Sequence, residues 1–397
     1  MKLNQRAMVV YCGLLMSISS FSVDITLPSF PEMAQDFATP FSYVQWTVTV
    51  FILAVGFGQL LWGAASDRFG RRRTLLTGFI ILGVGQLLAI LATTISWLII
   101  ARVMQGLGAA AAIIASRAII RDISSGLELA RNMAMASAIF AVGPMLAPIV
   151  GAVIAEFSGW RWIFVALTIW TLLLIVMLAM MPETISKLDR QALNPTRIIS
   201  NMRLLFSNPQ AFFYMVTSAL ATAFMLLVLI GAPPVYSNEF GITGMYFAAL
   251  FAIHGLGIIA GQLINRRLIN AIGIVPALIV ASVIMAASSG LFVALAYSGY
   301  MSLALLLPLL ILCNMGFVVF YSNAISLVLD PYPAMAGFVG SVFGFVTHMS
   351  GAALATLLVY FGAEDARSMS VMLFVISGAI LVALLVQRSR KPQIKAA

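Results

Sequence analysis

The sequence predicts an all-α polytopic membrane protein, with twelve transmembrane helices in two pseudo-symmetric six-helix bundles. Three observations predict it. The 397 residues are 62% hydrophobic and only 9% charged, whereas an average soluble chain is about a quarter charged. Apolar runs fill nearly the whole chain, each close to the roughly 20 residues that a bilayer crossing requires. The runs are continuous and helix-length rather than alternating, which argues against a β-barrel.

Spans are expected at about 7–28, 43–63, 74–94, 97–119, 132–155, 162–181, 209–232, 244–265, 273–296, 302–328, 335–360 and 368–387. The first run, from Ala7, is long enough to remain as a span and carries no cleavage pattern. The second and third are separated by Gly63 to Arg73, which holds five charges within Asp67–Arg73 and reads as a tight basic loop. The longest polar break, residues 182–208, divides a six-span half at 1–181 from another at 209–397. Within it, Ile198 to Phe206 is expected to form a short amphipathic helix lying on the membrane surface. Gly261, Asn265 and Arg266 repeat Gly63, Asp67 and Arg68 at a constant offset of 198 residues, each copy following the second span of its half. That echo supports a duplicated architecture.

Charge sets the orientation. Of the 22 Lys and Arg, 19 fall on one side, only Arg161 and Arg367 on the other, and Arg102 within a span. The positive-inside rule therefore places both termini in the cytoplasm. The net charge of +9 reflects these loops and not nucleic-acid binding. Cys12 and Cys313 both lie in apolar spans and read as buried, inert thiols. The chain has no phosphate-binding glycine loop, no nucleophile elbow and no zinc spacing. ATP-driven transport and hydrolase chemistry have no residues to carry them, and no metal or cofactor is expected.

Four stretches resemble the major facilitator superfamily, and within it the Bcr/CflA-type drug–proton antiporters. Gly63–Arg73 resembles the loop between helices 2 and 3. Arg102-Val103-Met104-Gln105-Gly106-Leu107-Gly108-Ala109-Ala110 resembles the helix-4 motif. Gly143-Pro144-Met145-Leu146-Ala147-Pro148-Ile149-Val150-Gly151 is similar to the helix-5 antiporter motif, and Asp24-Ile25-Thr26-Leu27-Pro28 to the acid–proline pattern of helix 1. The chain departs at Ser66 and Arg73, loose positions of the loop motif, and at Ala152, where a second glycine is common. The resemblance covers the N-terminal half well and the C-terminal half mainly through topology. It implies a monomeric multidrug exporter of a bacterial inner membrane, coupled to protons and working by alternating access.

Asp24 is the one carboxylate placed within a span. Such a group faces a cavity or takes a proton, which suits proton coupling; a solvated carboxylate near the outer end is the other reading. Arg102 cannot shed its charge and must meet polar partners or snorkel to the interface. The resemblance implies that it governs proton release from Asp24. Asp67 can cap the following helix or pair with an Arg of another cytoplasmic loop, with Arg121 and Arg131 available; the resemblance implies that Asp67 and Arg68 latch the two halves, whereas Arg71, Arg72 and Arg73 read as topology-setting charges. Pro144, Pro148 and Gly151 predict a kinked, bending gate helix. Arg117 fits an anionic substrate, a neighbouring acid or an interfacial anchor. Gln59, His254, Asn314, Asn323 and His348 are polar groups in apolar spans, open to substrate binding or interhelical hydrogen bonds. Phe224, Tyr236 and Tyr321 belong to an aromatic and Met-rich pocket or to core packing.

The expected function is export of a small amphipathic molecule, with cationic and zwitterionic ones in view, in exchange for protons. A metabolite or siderophore exporter on the same scaffold, or a non-transporting membrane receptor, are the alternatives.

Overall fold

A computed structural model describes residues 4–332, 335–360 and 365–390. Lys2, Lys391 and Lys395, counted above among the cytoplasmic charges, lie outside the described residues. The helices are α1 (Gln5–Asp24), α2 (Phe30–Asp36), α3 (Phe41–Phe69), α4 (Arg71–Ile90), α5 (Ile95–Ile123), α6 (Gly126–Ser158), α7 (Arg161–Met180) and α8 (Pro195–Phe206). They continue with α9 (Pro209–Phe240), α10 (Gly244–Ile272), α11 (Ile274–Ser298), α12 (Leu303–Leu329), α13 (Ala336–Tyr360) and α14 (Ala366–Arg390). Among the described residues, twelve are long and apolar enough to cross a membrane, with α1 and α2 counting as one span and α8 as none. In hydrocarbon each backbone N–H and C=O must be satisfied within the protein, and helices do this segment by segment.

Several helices outrun the bilayer. The second span, expected to end near residue 63, continues to Phe69. The basic "loop" is therefore the last turn of α3, one residue, and the first turn of α4. That residue is Gly70, at φ +93° and ψ 161°, a backbone region that glycine alone adopts freely. Gly273 makes the same connection between α10 and α11, at φ +83° and ψ 173°. The two halves thus share a backbone device at equivalent places.

The first span is broken where the sequence requires it. Pro28 lacks an N–H, and its ring excludes the carbonyl four residues back, which is that of Asp24. So α1 ends at Asp24, a 3-10 turn covers Leu27–Ser29, and α2 resumes at Phe30. The linker helix α8 begins at Pro195, three residues earlier than expected, because Asn194 Oδ1 accepts from Thr196 N at 3.0 Å and caps it.

Packing follows small residues. Gly106 of α5 faces Ala54 and the Phe51 backbone of α3, and Gly108 faces Gly78 and Leu82 of α4, a close approach that larger side chains would forbid. Between the halves, α3 lies along α13 and α6 along α10. Thr356 Oγ1 donates to Thr49 Oγ1 at 3.1 Å near the end opposite the arginines. Gly56 meets His348 and Met349 midway, and Gly63 meets Ser341 toward the basic end.

Candidate functional site

Asp24, Arg71 and Arg102 are the buried charged side chains among the described residues. Asp24, 5% exposed, sits at the C-terminal end of α1, the end that a helix dipole makes unfavourable for an anion. Its carboxylate has no hydrogen bond or ion pair within the described residues. Ser17 and Ser20 pack on Gly143 of α6, and Asp24, seven and four residues further on, shares their face. Beyond it, Gly151 lets α6 approach the Ile25 carbonyl, where any side chain would collide. Between the two glycines stand Pro144 and Pro148, which leave the carbonyls of Phe140 and Pro144 without their helical donors. The acid of α1 and the interrupted backbone of α6 therefore occupy one helix–helix seam.

Arg102 is 1% exposed, so the snorkelling alternative falls. Its Nη1 donates to Ser22 O at 2.9 Å and to Gln105 Oε1 at 3.0 Å, and its Nη2 to Thr26 Oγ1 at 3.4 Å. Phe51 and Phe164 cover the guanidinium at 5.0 and 5.8 Å. Gln105 in turn donates to Gly85 O at 2.9 Å, which fixes the amide that orients the arginine. No ion pair or hydrogen bond joins Arg102 to the Asp24 carboxylate. Arg102 bonds the Ser22 carbonyl before Asp24 and the Thr26 hydroxyl after it, and so holds the end of the helix in place.

The charge network at the basic end also departs from expectation. Arg71 is its buried hub, 2% exposed. It bonds Asp67 at 2.7 Å, Asp122 at 2.9 Å and Ser66 Oγ at 2.9 Å. Glu183, just after α7, accepts from the backbone N–H of Arg71 and Arg72 at 3.0 and 3.1 Å and so caps α4. Thr184 bonds Asp122 at 3.1 Å, and the backbone N–H of Asp189 bonds Asp67 O at 3.0 Å. Arg68, by contrast, is exposed and lies over Phe69. The expected Asp67–Arg68 latch between halves, with Arg121 or Arg131, is replaced by an Asp67–Arg71–Asp122 cluster. That cluster ties the N-terminal half to its own linker. Nothing in the spacing marked Glu183, 112 residues from Arg71, as the cap.

The other candidates divide. Asn323 donates to Asn265 Oδ1 at 2.7 Å and to Val319 O at 2.9 Å, so its amide joins α12 to α10 rather than facing a cavity. This neutral pair stands where the N-terminal half has its ions. Phe224 is wholly buried in the core. Tyr236 Oη and His254 Nε2 share a buried hydrogen bond of 3.0 Å inside an aromatic cluster with Phe247 and Phe251. Asn314 packs on Gly257 with its Oδ1 unpartnered. Gln59, Arg117, Tyr321 and His348 come together from α3, α5, α12 and α13, across the boundary between halves. Gln59 lies against Gly344, His348 Nδ1 donates to Gly344 O at 2.8 Å, and Tyr321 Oη lies 3.5 Å from Thr347 Oγ1. The Arg117 charge is within electrostatic reach of both Tyr321 and His348.

Comparison with known proteins agrees with this architecture. A family model described as Major Facilitator Superfamily matches residues 12–356. A "Bicyclomycin resistance protein homolog" of Haemophilus influenzae is 29% identical over 383 residues, covering 95% of this chain and 94% of that protein. "Multidrug resistance protein D" of Escherichia coli is 27% identical, covering 87% of this chain and 86% of that one. Among solved structures, the xylose transporter XylE of E. coli, in a partially occluded inward-open conformation, superposes with a TM-score of 0.73 at 15% identity. It covers 98% of each chain and at that identity speaks for the fold alone.

Proposed function

Because the chain belongs to the major facilitator superfamily, we propose that it exports small amphipathic molecules in exchange for protons, one central site opening alternately to either face of the membrane. That it is a transporter and not an enzyme follows from the family. The drug-efflux reading is supported by the two relatives named for drug resistance, which match over most of their length. A bacterial inner membrane, cytoplasmic termini and a monomer complete the reading.

The observation that carries proton exchange is Asp24. A buried carboxylate with no partner among the described residues, at a helix break and against a twice-interrupted helix, is costly unless it takes a proton. In the proposed cycle Asp24 holds a proton taken up from outside. Opening toward the cytoplasm hydrates it, the proton leaves and substrate enters. Opening outward releases substrate and reloads the acid. Arg102 keeps the α1 terminus, and so the acid, at the seam with α6 throughout.

A susceptibility panel on a bacterial strain expressing the protein identifies the compounds it removes. With one such compound, proteoliposomes containing a pH dye then report substrate-driven proton release. Asp24→Asn is expected to abolish that release while substrate still binds. Release that persists in Asp24→Asn removes Asp24 from the coupling mechanism.

A further inference from the structure

We propose that the cluster of Gln59, Arg117, Tyr321 and His348 is the head-group site of the transported molecule, and that it takes an anion, a carboxylate, sulfonate or phosphate on an apolar body. The inference rests on the export reading above and names the substrate class of its central site.

Arg117 lies four residues before Arg121, on the same face of α5. The Arg121 guanidinium lies against Gly337 of α13, so this face of the N-terminal half looks across to the C-terminal half. Arg117 is only partly buried, yet no Asp or Glu pairs with it, and no other protein partner is found among the described residues. Three of the acids at the basic end are committed elsewhere: Asp67 and Asp122 to Arg71, Glu128 to Gln5. An arginine keeps its charge in any protein environment, so this corner of the interior carries a fixed, uncompensated positive charge.

Its neighbours add polar groups but no carboxylate. Gln59 Nε2 is buried without a partner, which leaves an amide NH₂ unused. A carbonyl only accepts, so His348 Nδ1 carries the hydrogen it gives to Gly344 O. Tyr321 and His348 are deep inside the protein yet keep accessible surface, as side chains lining an internal space do. Phe343 and Phe317 pack tilted against Tyr321 at 5.4 and 5.5 Å; Phe343 is buried behind it and the half-buried Phe317 offers an apolar face. A guanidinium, a free amide NH₂ and aromatic faces, with no carboxylate, match an anionic amphiphile and repel a cationic one. Because Arg117 belongs to one half and Tyr321 and His348 to the other, a bound anion bridges the two moving bodies.

The test is equilibrium binding of three matched probes, para-hexylbenzoate, para-hexylbenzamide and para-hexylbenzylammonium, to the protein in zwitterionic-lipid nanodiscs, with empty nanodiscs subtracted. The benzoate should bind about tenfold more tightly than the amide, in line with one charge-assisted contact, and the ammonium most weakly. Arg117→Gln should erase the preference and Arg117→Lys should retain much of it. Equal binding of the three probes, a preference for the ammonium, no saturable benzoate binding, or a preference that survives Arg117→Gln would each overturn the site. If Arg117→Gln does not fold, the wild-type order and its persistence in Arg117→Lys decide the matter, loss of either being the negative result. Binding needs neither turnover nor a proton gradient. A failure of proton coupling at Asp24 therefore leaves this result standing, and a failure here leaves coupling standing.

Discussion

Three buried charges receive three different treatments. Arg102 is fully served by carbonyl, amide, hydroxyl and aromatic partners. Arg71 is served by carboxylates. Asp24 is served by nothing among the described residues, which is why it carries the functional reading. Removing Arg71 takes three polar contacts out of a buried position and leaves Asp67 and Asp122 without their shared cation. Arg71→Met should therefore lower the thermal midpoint of the purified protein clearly, whereas Arg68→Met, at an exposed site, should leave it nearly unchanged. A matched effect of both variants would show that the basic end acts as a diffuse charge and not as a built network. At this scale Asp24 and Arg102 were legible in the sequence because a lone charge in an apolar run stands out. Arg71 was not legible, since it sits among four neighbouring charges and only the fold shows which of them turns inward.

Elements that look like loops by composition are helices here. The stretch around Asp67 is charged enough to read as a connection, yet its backbone still gains more from continuing the hydrogen-bond ladder than from leaving it. The true connection is Gly70 alone, held at φ +93° with the Glu183 carboxylate against it. A methyl at this position meets both a strained backbone, about 1–3 kcal/mol, and the Glu183 oxygen 2.6 Å away. Gly70→Ala should therefore destabilise the protein by at least that strain, read as a lower midpoint in a thermal-shift assay. Gly273→Ala, with nothing within 4 Å, should carry the backbone strain without the collision and cost less. An equal loss in the two variants would remove Glu183 from the account. The break in α1 was not part of the expected span at 7–28, although its cause is local: the Pro28 ring excludes the Asp24 carbonyl. The cap of α4 was not legible in the chain, because the accepting carboxylate comes from the distant linker.

The whole molecule turns on the contact between α3 and α13, which runs through Thr49–Thr356, Gly56–His348 and Gly63–Ser341. If the halves rock about a central site, this seam must open at one end in each half-cycle. Thr49→Cys with Thr356→Cys places two sulfurs where hydroxyls now lie 3.1 Å apart, within reach of a disulfide. Both native cysteines are free and buried and should not interfere. Oxidation should arrest transport and a reductant should restore it; full transport by the oxidised protein would mean that this end of the seam stays closed through the cycle. The sequence by itself determined that twelve segments are long and apolar enough to cross a membrane, because lipid obliges each crossing to satisfy its own backbone. Only the tertiary structure decided which charges are spent and which are free. Glu183 meets Arg71, and Arg117 approaches His348, across more than a hundred and more than two hundred residues of chain. Pairings of that range depend on which helix faces pack together, and no local pattern in the chain encodes them.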